Sequence, residues 1–442
     1  MTITELEQIA EPLRRANLEF VRTHPGESGA RQPVHTVYGG AQIFRSDTAP
    51  RIGAVALNAL HEYAPAAEDL AVTLDLHGEL ARAVHARVIA KLETEPVEDF
   101  RIDFEDGYGN RPDAEEDGHA ESTAEQVAAG LEAGTLPGTI GIRIKTLNEE
   151  VRRRAIRTMD IFLTTLTART GGKLPPNFVV TLPKITAPEQ VTYLADVLEQ
   201  LEPRLKLDDG ALRFELMIET PQSLIAPNGT IVLPLLVQAG RGRVTAAHFG
   251  TYDFTASLNV TAAHQAMSHP LCLFARELMQ VALAGTGIWL SDGSTAVLPV
   301  APHRGDHLSK AEREENLNTV RRAWRMHYDD VRESLRLGLY QGWDLHPAQL
   351  VTRYAAIYAF FLEGLEPASA RLRNFMDKAA QATLLGEVFD DAATGQGLLN
   401  FFLRAINSGA VPEEEVSART GLSLDELRTR SFLAILNGRV RR

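Results

Sequence analysis

The sequence predicts an α/β protein, a (β/α)8 barrel of the TIM type with an N-terminal helix and a C-terminal helical extension, on three observations. Its 442 residues suit one barrel with an appendage. Short β-branched apolar runs alternate with longer amphipathic stretches, as βα units require. Charged side chains recur just past the ends of successive runs, where a parallel barrel opens on a single face. The barrel is assigned to residues 1–350 and the helical extension to residues 351–442.

Eight runs qualify as strands, at residues 34–38, 100–105, 139–144, 178–183, 213–218, 244–250, 287–290 and 343–345. Their apolar character on both faces suits a wall packed inside and outside. Helical patterns between them include residues 51–63, 149–168, 187–201 and 311–337. The opening stretch, residues 3–21, reads as a helix broken near Pro12. Residues 294–314 add a loop rich in Pro, His, Gly and Asp, read either as a lid or as an insertion without fixed structure. Beyond Pro347 the pattern is helices with short turns, and Ser423 followed by Glu426 reads as a capping box.

Composition excludes several classes. The net charge of −13 disfavours nucleic acid and anionic lipid, both of which are bound through clustered Lys and Arg. The one cysteine, Cys272, lies in an apolar run; it forms no intrachain disulfide and reads as a buried thiol. The acidic first residues lack the basic-then-apolar pattern of a signal peptide, and no run of 18 apolar residues predicts a membrane span. A cytoplasmic location is expected, so the sequons at Asn228 and Asn259 carry no weight.

The strand-end residues are Asp106, Arg143, Lys184, Glu219, Asp253, Asp292 and His346, spaced by 34 to 41 residues and finally by 54. Glu219 and Asp253 follow adjacent strands and can converge on one hard cation, since magnesium takes one or two protein carboxylates and leaves positions for water and substrate. The plainer reading has them salt-bridged to Arg143 or Lys184. Gly250 lets the backbone approach a ligand closely. Arg143 can hold a carboxylate or enolate oxygen with its fork, or else pair with Asp106 or Glu219. The cluster Asp103–Phe104–Glu105–Asp106 offers a base, with at least one acid paired to Arg143. Lys184 can serve as a Schiff-base amine or as an ion-pair partner. His35, His248 and His269 are single histidines, more often core or rim residues than ligands. No phosphate loop, dinucleotide fingerprint, zinc-protease helix or nucleophile elbow is present.

Taken in order, Asp103-Phe-Glu-Asp106, Gly141-Ile-Arg143, Leu182-Pro-Lys184, Ile218-Glu-Thr220, Phe249-Gly250 with Asp253, Ser291-Asp-Gly293 and Leu345-His-Pro-Ala-Gln349 resemble the citrate lyase β-subunit and malyl-CoA lyase branch of the HpcH/HpaI aldolase superfamily. Gly386-Glu-Val-Phe-Asp390 resembles that family's C-terminal lid motif. The resemblance implies a lyase or aldolase using Mg²⁺, with Mn²⁺ as an alternative, held by Glu219 and Asp253. Arg143 would stabilise an enolate and bind substrate with Gly250 and Lys184. Glu105 and Asp106 would orient a water, and Asp390 would act from a neighbouring subunit of a homo-oligomer, a trimer or hexamer. The sequence departs from the pattern at Val34-His-Thr-Val-Tyr-Gly-Gly-Ala-Gln42, where the family carries an Arg-Ser start and a lysine that seat coenzyme A.

The expected function is carbon–carbon bond cleavage or formation through an enolate on a small 2-oxo or 2-hydroxy acid, free or as its CoA thioester. The alternatives are a phosphoenolpyruvate- or pyruvate-type transferase, a Schiff-base aldolase using Lys184, and a non-catalytic metabolite-binding subunit.

Overall fold

Eight parallel strands close into a barrel in the computed structural model, which describes residues 2–377, 383–385, 388–390 and 392–440. They are β1 (His35–Gly40), β2 (Asp99–Asp103), β3 (Thr139–Arg143), β4 (Val179–Leu182), β5 (Arg213–Ile218), β6 (Val244–Phe249), β7 (Trp289–Ser294) and β8 (Gln341–Asp344). Each pairs with the next, and β8 closes on β1 through Thr36 and Trp343. All eight expected strands are present. The seventh begins later than expected because Gly285 and Gly287 take φ of 74° and 79°, left-handed values that no strand holds. It also continues through polar residues to Ser294, because Asp292 is satisfied outside the barrel by Arg276 and Ser334.

The interior departs from the branched aliphatic filling usual for this architecture. Asp99, Arg101 and Asp103 alternate with Phe100 and Ile102 along β2, so the charges face inward. Arg101 bonds both oxygens of Glu215 at 2.7 Å and also pairs with Asp99, while Thr36 and Thr181 donate to these acids. Outside the wall, Asp344 accepts from His35, His327 and Arg353, tying β8 and β1 to two covering helices. The Glu98 N–H donates to His35 Nε2, so His35 carries its proton on Nδ1, facing Asp344.

The helix Ile3–Thr23 runs unbroken through Pro12, which corrects the expected break. Residues 295–309 are pinned rather than loose: Thr295 bonds Asp330 and Gln349, and the His303 backbone bonds Asn316. The next helix starts at a Ser309–Glu312 capping box, and the expected Ser423–Glu426 box is formed. The helix Gln349–Asp377 runs across the expected boundary between residues 350 and 351. The tail is not purely helical. A two-stranded antiparallel hairpin, β9 (Thr383–Leu385) and β10 (Val388–Asp390), precedes the helix Ala392–Asn407. Gly386 and Asp391 lie outside the described residues. No described helix is long and apolar enough to cross a membrane.

Candidate active site at the barrel mouth

Arg143 ends β3 directly beside Asp103, which ends β2. Its Nε and Nη2 bond the two Asp103 oxygens at 2.7 and 2.5 Å. Of the expected partners, Asp106 lies at the edge of ion-pair range and the cluster's Asp103 takes the two hydrogen bonds, so the fork is committed within the protein. Nη1 remains toward the mouth, 3.4 Å from Glu105 and 3.9 Å from Asp106. The guanidinium lies 4.9 Å from the Tyr38 ring centroid, a cation–π distance.

Lys184 lies two residues past β4 at φ 49°, a left-handed conformation that costs a non-glycine residue about 1–3 kcal/mol. The turn points its N–H at Glu219 Oε1, 2.8 Å away, and its Nζ at Glu105 and Asp106. Burial opposes the ammonium, but the bonds to Asp106 and Glu105 outweigh it and raise the Lys184 pKa above its ordinary value. An amine held protonated in this way has no lone pair to attack a ketone, which disfavours the Schiff-base alternative.

Glu219 follows β5 and is only 2% exposed. Burial first, then the neighbouring charge of Asp253, push its pKa up to about 8, against the pull of Arg143. Gly250 is required there: a Cβ at that position would meet Glu219 Cβ at 2.5 Å and Oε2 at 2.6 Å. Asp253, in the first turn of the helix Thr251–Ser257, is half-buried and lies 3.7 Å from Lys184 Nζ. Burial and the adjacent Asp106 raise Glu105 to about 7 in spite of Arg143. Asp106, against the effect of burial, is held below its usual range by Glu105 and Lys184. A cavity of about 360 Å³ beside this pair is lined by Glu105, Asp106, Lys145 and Asn148.

The arrangement thus brings Arg143, Glu105, Asp106, Lys184, Glu219, Gly250 and Asp253 to one mouth. Asp292 does not join them, being bonded to Arg276 and Ser334. Among the three single histidines, His35 serves Asp344, His248 is buried beside Glu215 at 3.1 Å, and His269 caps the helix Pro270–Leu283. A second cavity, of about 400 Å³, opens at the opposite end of the barrel and reaches Asp99, Arg101, Glu215 and His248. It lies away from the strand-end residues. Sequence reasoning grouped Asp103 with its neighbours as a partner of Arg143 without singling it out, and passed over Tyr38 and Trp343 altogether. The alternation of charge along residues 99–103 was the available signal for Asp103.

The profile of a domain of unknown function, DUF6986, matches residues 13–435. The chain belongs to the DUF6986 family. No curated protein matches it. A citrate lyase from Burkholderia xenovorans LB400 superposes with a TM-score of 0.55 at 20% identity, over 76% of this chain and 92% of that one, and shows the shared barrel fold. Similarity extends to a Haloferax volcanii malate synthase in a magnesium and glyoxylate complex, with 15% identity, TM-score 0.46, and 91% and 99% of the two chains covered. It also extends to CitE from Mycobacterium tuberculosis with magnesium, acetoacetate and coenzyme A, with 13% identity, TM-score 0.46, and 86% and 99% covered.

In this DUF6986 chain Asp390 ends strand β10, paired with Thr383. Its side chain lies outside the described residues. The backbone is nonetheless located by what flanks it. Tyr354 bonds the Pro96 carbonyl just before β2, at the base of the barrel, and some twenty further residues of the same helix, roughly 30 Å, lead to Phe375. The helix Ala392–Asn407 returns alongside, from Gly395 near Phe375 to Asn407, which bonds Gln32 below β1. The hairpin therefore lies on the base side, away from the mouth of its own barrel.

Proposed function

We propose that this protein forms or cleaves a carbon–carbon bond through the enolate of a small 2-oxo or 2-hydroxy acid, free or as its CoA thioester, using Mg²⁺ or Mn²⁺. One observation carries the reading: Glu219 and Asp253 follow neighbouring strands and lie against the same residue, Lys184, whose N–H is 2.8 Å from Glu219 and whose Nζ is 3.7 Å from Asp253.

The donor set fits a hard cation. Among the described residues no group of three or more His, Cys, Asp and Glu side chains surrounds a point. Two carboxylates from neighbouring strands are what magnesium takes when the remaining positions go to water and substrate. Bound there, the cation would supply Lewis-acid stabilisation of charge on the substrate oxygen.

The chain's own residues do the rest. Arg143, locked by Asp103, presents Nη1 to the developing negative charge without having to reorganise, which is the basis of electrostatic preorganisation. Glu105, with its pKa near 7, holds or accepts a proton at neutral pH, and Lys184 fixes it in place. Asp390, on the base side of its own barrel, serves the mouth of a neighbouring subunit in a homo-oligomer and carries a proton to or from the enolate carbon.

The test is exchange of the pyruvate methyl protons in D2O, followed by proton NMR. Exchange is expected with Mg²⁺, is abolished by EDTA, and returns when Mg²⁺ or Mn²⁺ is added. Exchange that survives chelation, with borohydride trapping pyruvate on Lys184, would replace this reading with a Schiff-base mechanism.

A further inference from the structure

The helix Ile3–Thr23 stands apart from the barrel that it precedes. It is tied down just past its end, where the Gly26 N–H donates to the Gly285 carbonyl at the base of the barrel. Among its described side chains none is buried, and only Ala10 and Glu11 are half-buried. Yet the helix is not polar all round. Ile3, Leu6, Ile9, Leu13, Phe20 and Val21 are 47 to 81% exposed. At 3.6 residues per turn all six fall within one stripe about 120° wide, and only Leu18 of the large apolar residues lies off it. An apolar stripe left in water along a whole helix marks a surface built to be covered.

The pattern of the stripe identifies the cover. Ile3, Leu6, Ala10, Leu13, Asn17 and Phe20 alternate at intervals of three and four, which is a heptad seam. Against a second copy running the opposite way, with the two-fold axis between Glu11 and Pro12, this seam meets itself in layers. Ile3 faces Phe20, Leu6 faces Asn17 and Ala10 faces Leu13, so each layer joins a larger side chain to a smaller one. Glu7 and Arg14 lie on one flank of the seam, two turns apart. In the antiparallel pair Glu7 of each copy comes beside Arg14 of the other, giving one ion pair on each side of the axis. A parallel pair would turn that flank toward Ile9 and Ala16, and neither charge would meet a partner. Among the described residues Glu7 has no ion-pair partner, and Arg14 has only the exposed Glu11 at 3.6 Å. Pro12 faces away from the seam, so its missing N–H does not disturb it. The helix carries no excess of basic residues, which an anionic membrane surface would require.

We propose that the helix Ile3–Thr23 is a docking arm for a second copy of this chain, the two arms packing antiparallel about a two-fold axis. Such a contact uses one surface twice, so a single self-complementary helix suffices. It lies on the base side, leaves the mouth free, and is independent of the reaction proposed above.

Sedimentation equilibrium on the full chain tests the arm. Leu6→Glu/Leu13→Glu should halve the mass of the assembly, whatever other contacts the chain makes. Glu7→Arg and Arg14→Glu each set like charges together on both sides of the axis, and each should weaken the contact about tenfold. Both substitutions in one chain should restore it. Direction is read by cross-linking Ile3→Cys and Phe20→Cys proteins with a short bismaleimide, to which the buried Cys272 adds no background. Mixed, the two should join to each other. Neither should join to itself, because like positions stand about 25 Å apart in an antiparallel pair. An unchanged mass for Leu6→Glu/Leu13→Glu overturns the proposal, as does a double charge reversal no better than either single one. Ile3→Cys joined to itself would make the pair parallel and overturn it too. Pelleting with phosphatidylserine vesicles, lost in Leu6→Glu/Leu13→Glu at constant mass, would assign the stripe to a membrane instead.

Discussion

The interior layers of the barrel and its mouth contain the same kinds of residues, yet they are wired differently. Below the mouth Arg101 is bracketed by Asp99 and Glu215, and each acid also receives a threonine hydroxyl. On the outer wall Asp344 is enclosed by His35, His327 and Arg353. Opposite charges there hold the Glu215 and Asp344 carboxyls below their usual range despite burial, although burial and the charge of Glu215 raise Asp99. At the mouth the balance fails: Glu219 is raised by burial and by Asp253, Glu105 is raised by burial and Asp106, and Lys184 sits at a positive φ. Matched networks hold a fold together, whereas unmatched charge and backbone strain persist where a ligand or a reaction makes use of them.

The largest test of this contrast asks whether the base side of one chain completes the mouth of another. Asp390→Ala and Glu219→Ala should each abolish the Mg²⁺-dependent exchange of pyruvate protons. Mixed and allowed to exchange subunits, the two inactive proteins should recover activity, since an intact mouth from one chain meets an intact hairpin from the other. Demonstrated subunit exchange without recovery, or a fully active Asp390→Ala protein, would return Asp390 to a structural role beside the helix Ala392–Asn407.

The next test separates the two regions within a single chain. Arg101→Leu leaves Asp99 and Glu215 buried without their cation, and breaking a buried network in this way costs about 3–5 kcal/mol of stability. Denaturant unfolding should show that loss, while Mg²⁺-dependent oxalate binding stays unchanged in the folded protein. Weakened oxalate binding in a variant with a native circular dichroism spectrum would mean that the layers are coupled and that the contrast drawn here is too sharp.

Much of this was legible in the sequence because local pattern and global fold agree. The run of residues 213–218 became β5 without adjustment, since it is apolar, bounded by turns and followed by Glu219. The register of strand-end charges put Asp106, Arg143, Lys184, Glu219 and Asp253 on one face, where the structure has them, though not Asp292. Most of the failures come from partners distant in sequence. Ser291–Ser294 did not read as strand because the partners of Asp292 lie on distant helices. Asp103 was grouped with its neighbours, but which acid takes Arg143 depends on the β2–β3 register, which no local pattern encodes. Tyr38 and Trp343 are more than 300 residues apart and meet only because the barrel closes. Pro12 reads as a breaker on propensity alone, yet the helix continues through it.

The smallest expected effect concerns pH and the Asp344 clasp. His327 is buried on the helix Lys310–Arg336, with Nε2 3.0 Å from Asp344 and Nδ1 2.8 Å from the Thr352 hydroxyl. Burial lowers its pKa first of all, and Arg353 adds to that, while Asp344 and Asp330 work the other way. The ring is therefore neutral in the folded protein where an unfolded chain would take up a proton. Above about pH 6.5 neither state binds that proton, so His327 contributes no pH dependence. As pH falls through 6.5 the unfolded chain is protonated and the folded one is not. Stability then declines, by at most about 1.4 kcal/mol per pH unit, until the lowered folded pKa is reached. Asp344 acts in a separate window: its folded pKa is depressed, so its contribution is present at neutral pH and is lost only below about pH 4. Unfolding free energies between pH 8 and 5 should therefore fall more steeply for the unaltered protein than for His327→Gln, which keeps an N–H for Asp344 and has no ring to titrate. A shallower fall for the unaltered protein than for His327→Gln would show that His327 is protonated inside the fold and that the clasp is an ion pair with charge on the histidine; equal slopes would show that burial does not lower its pKa.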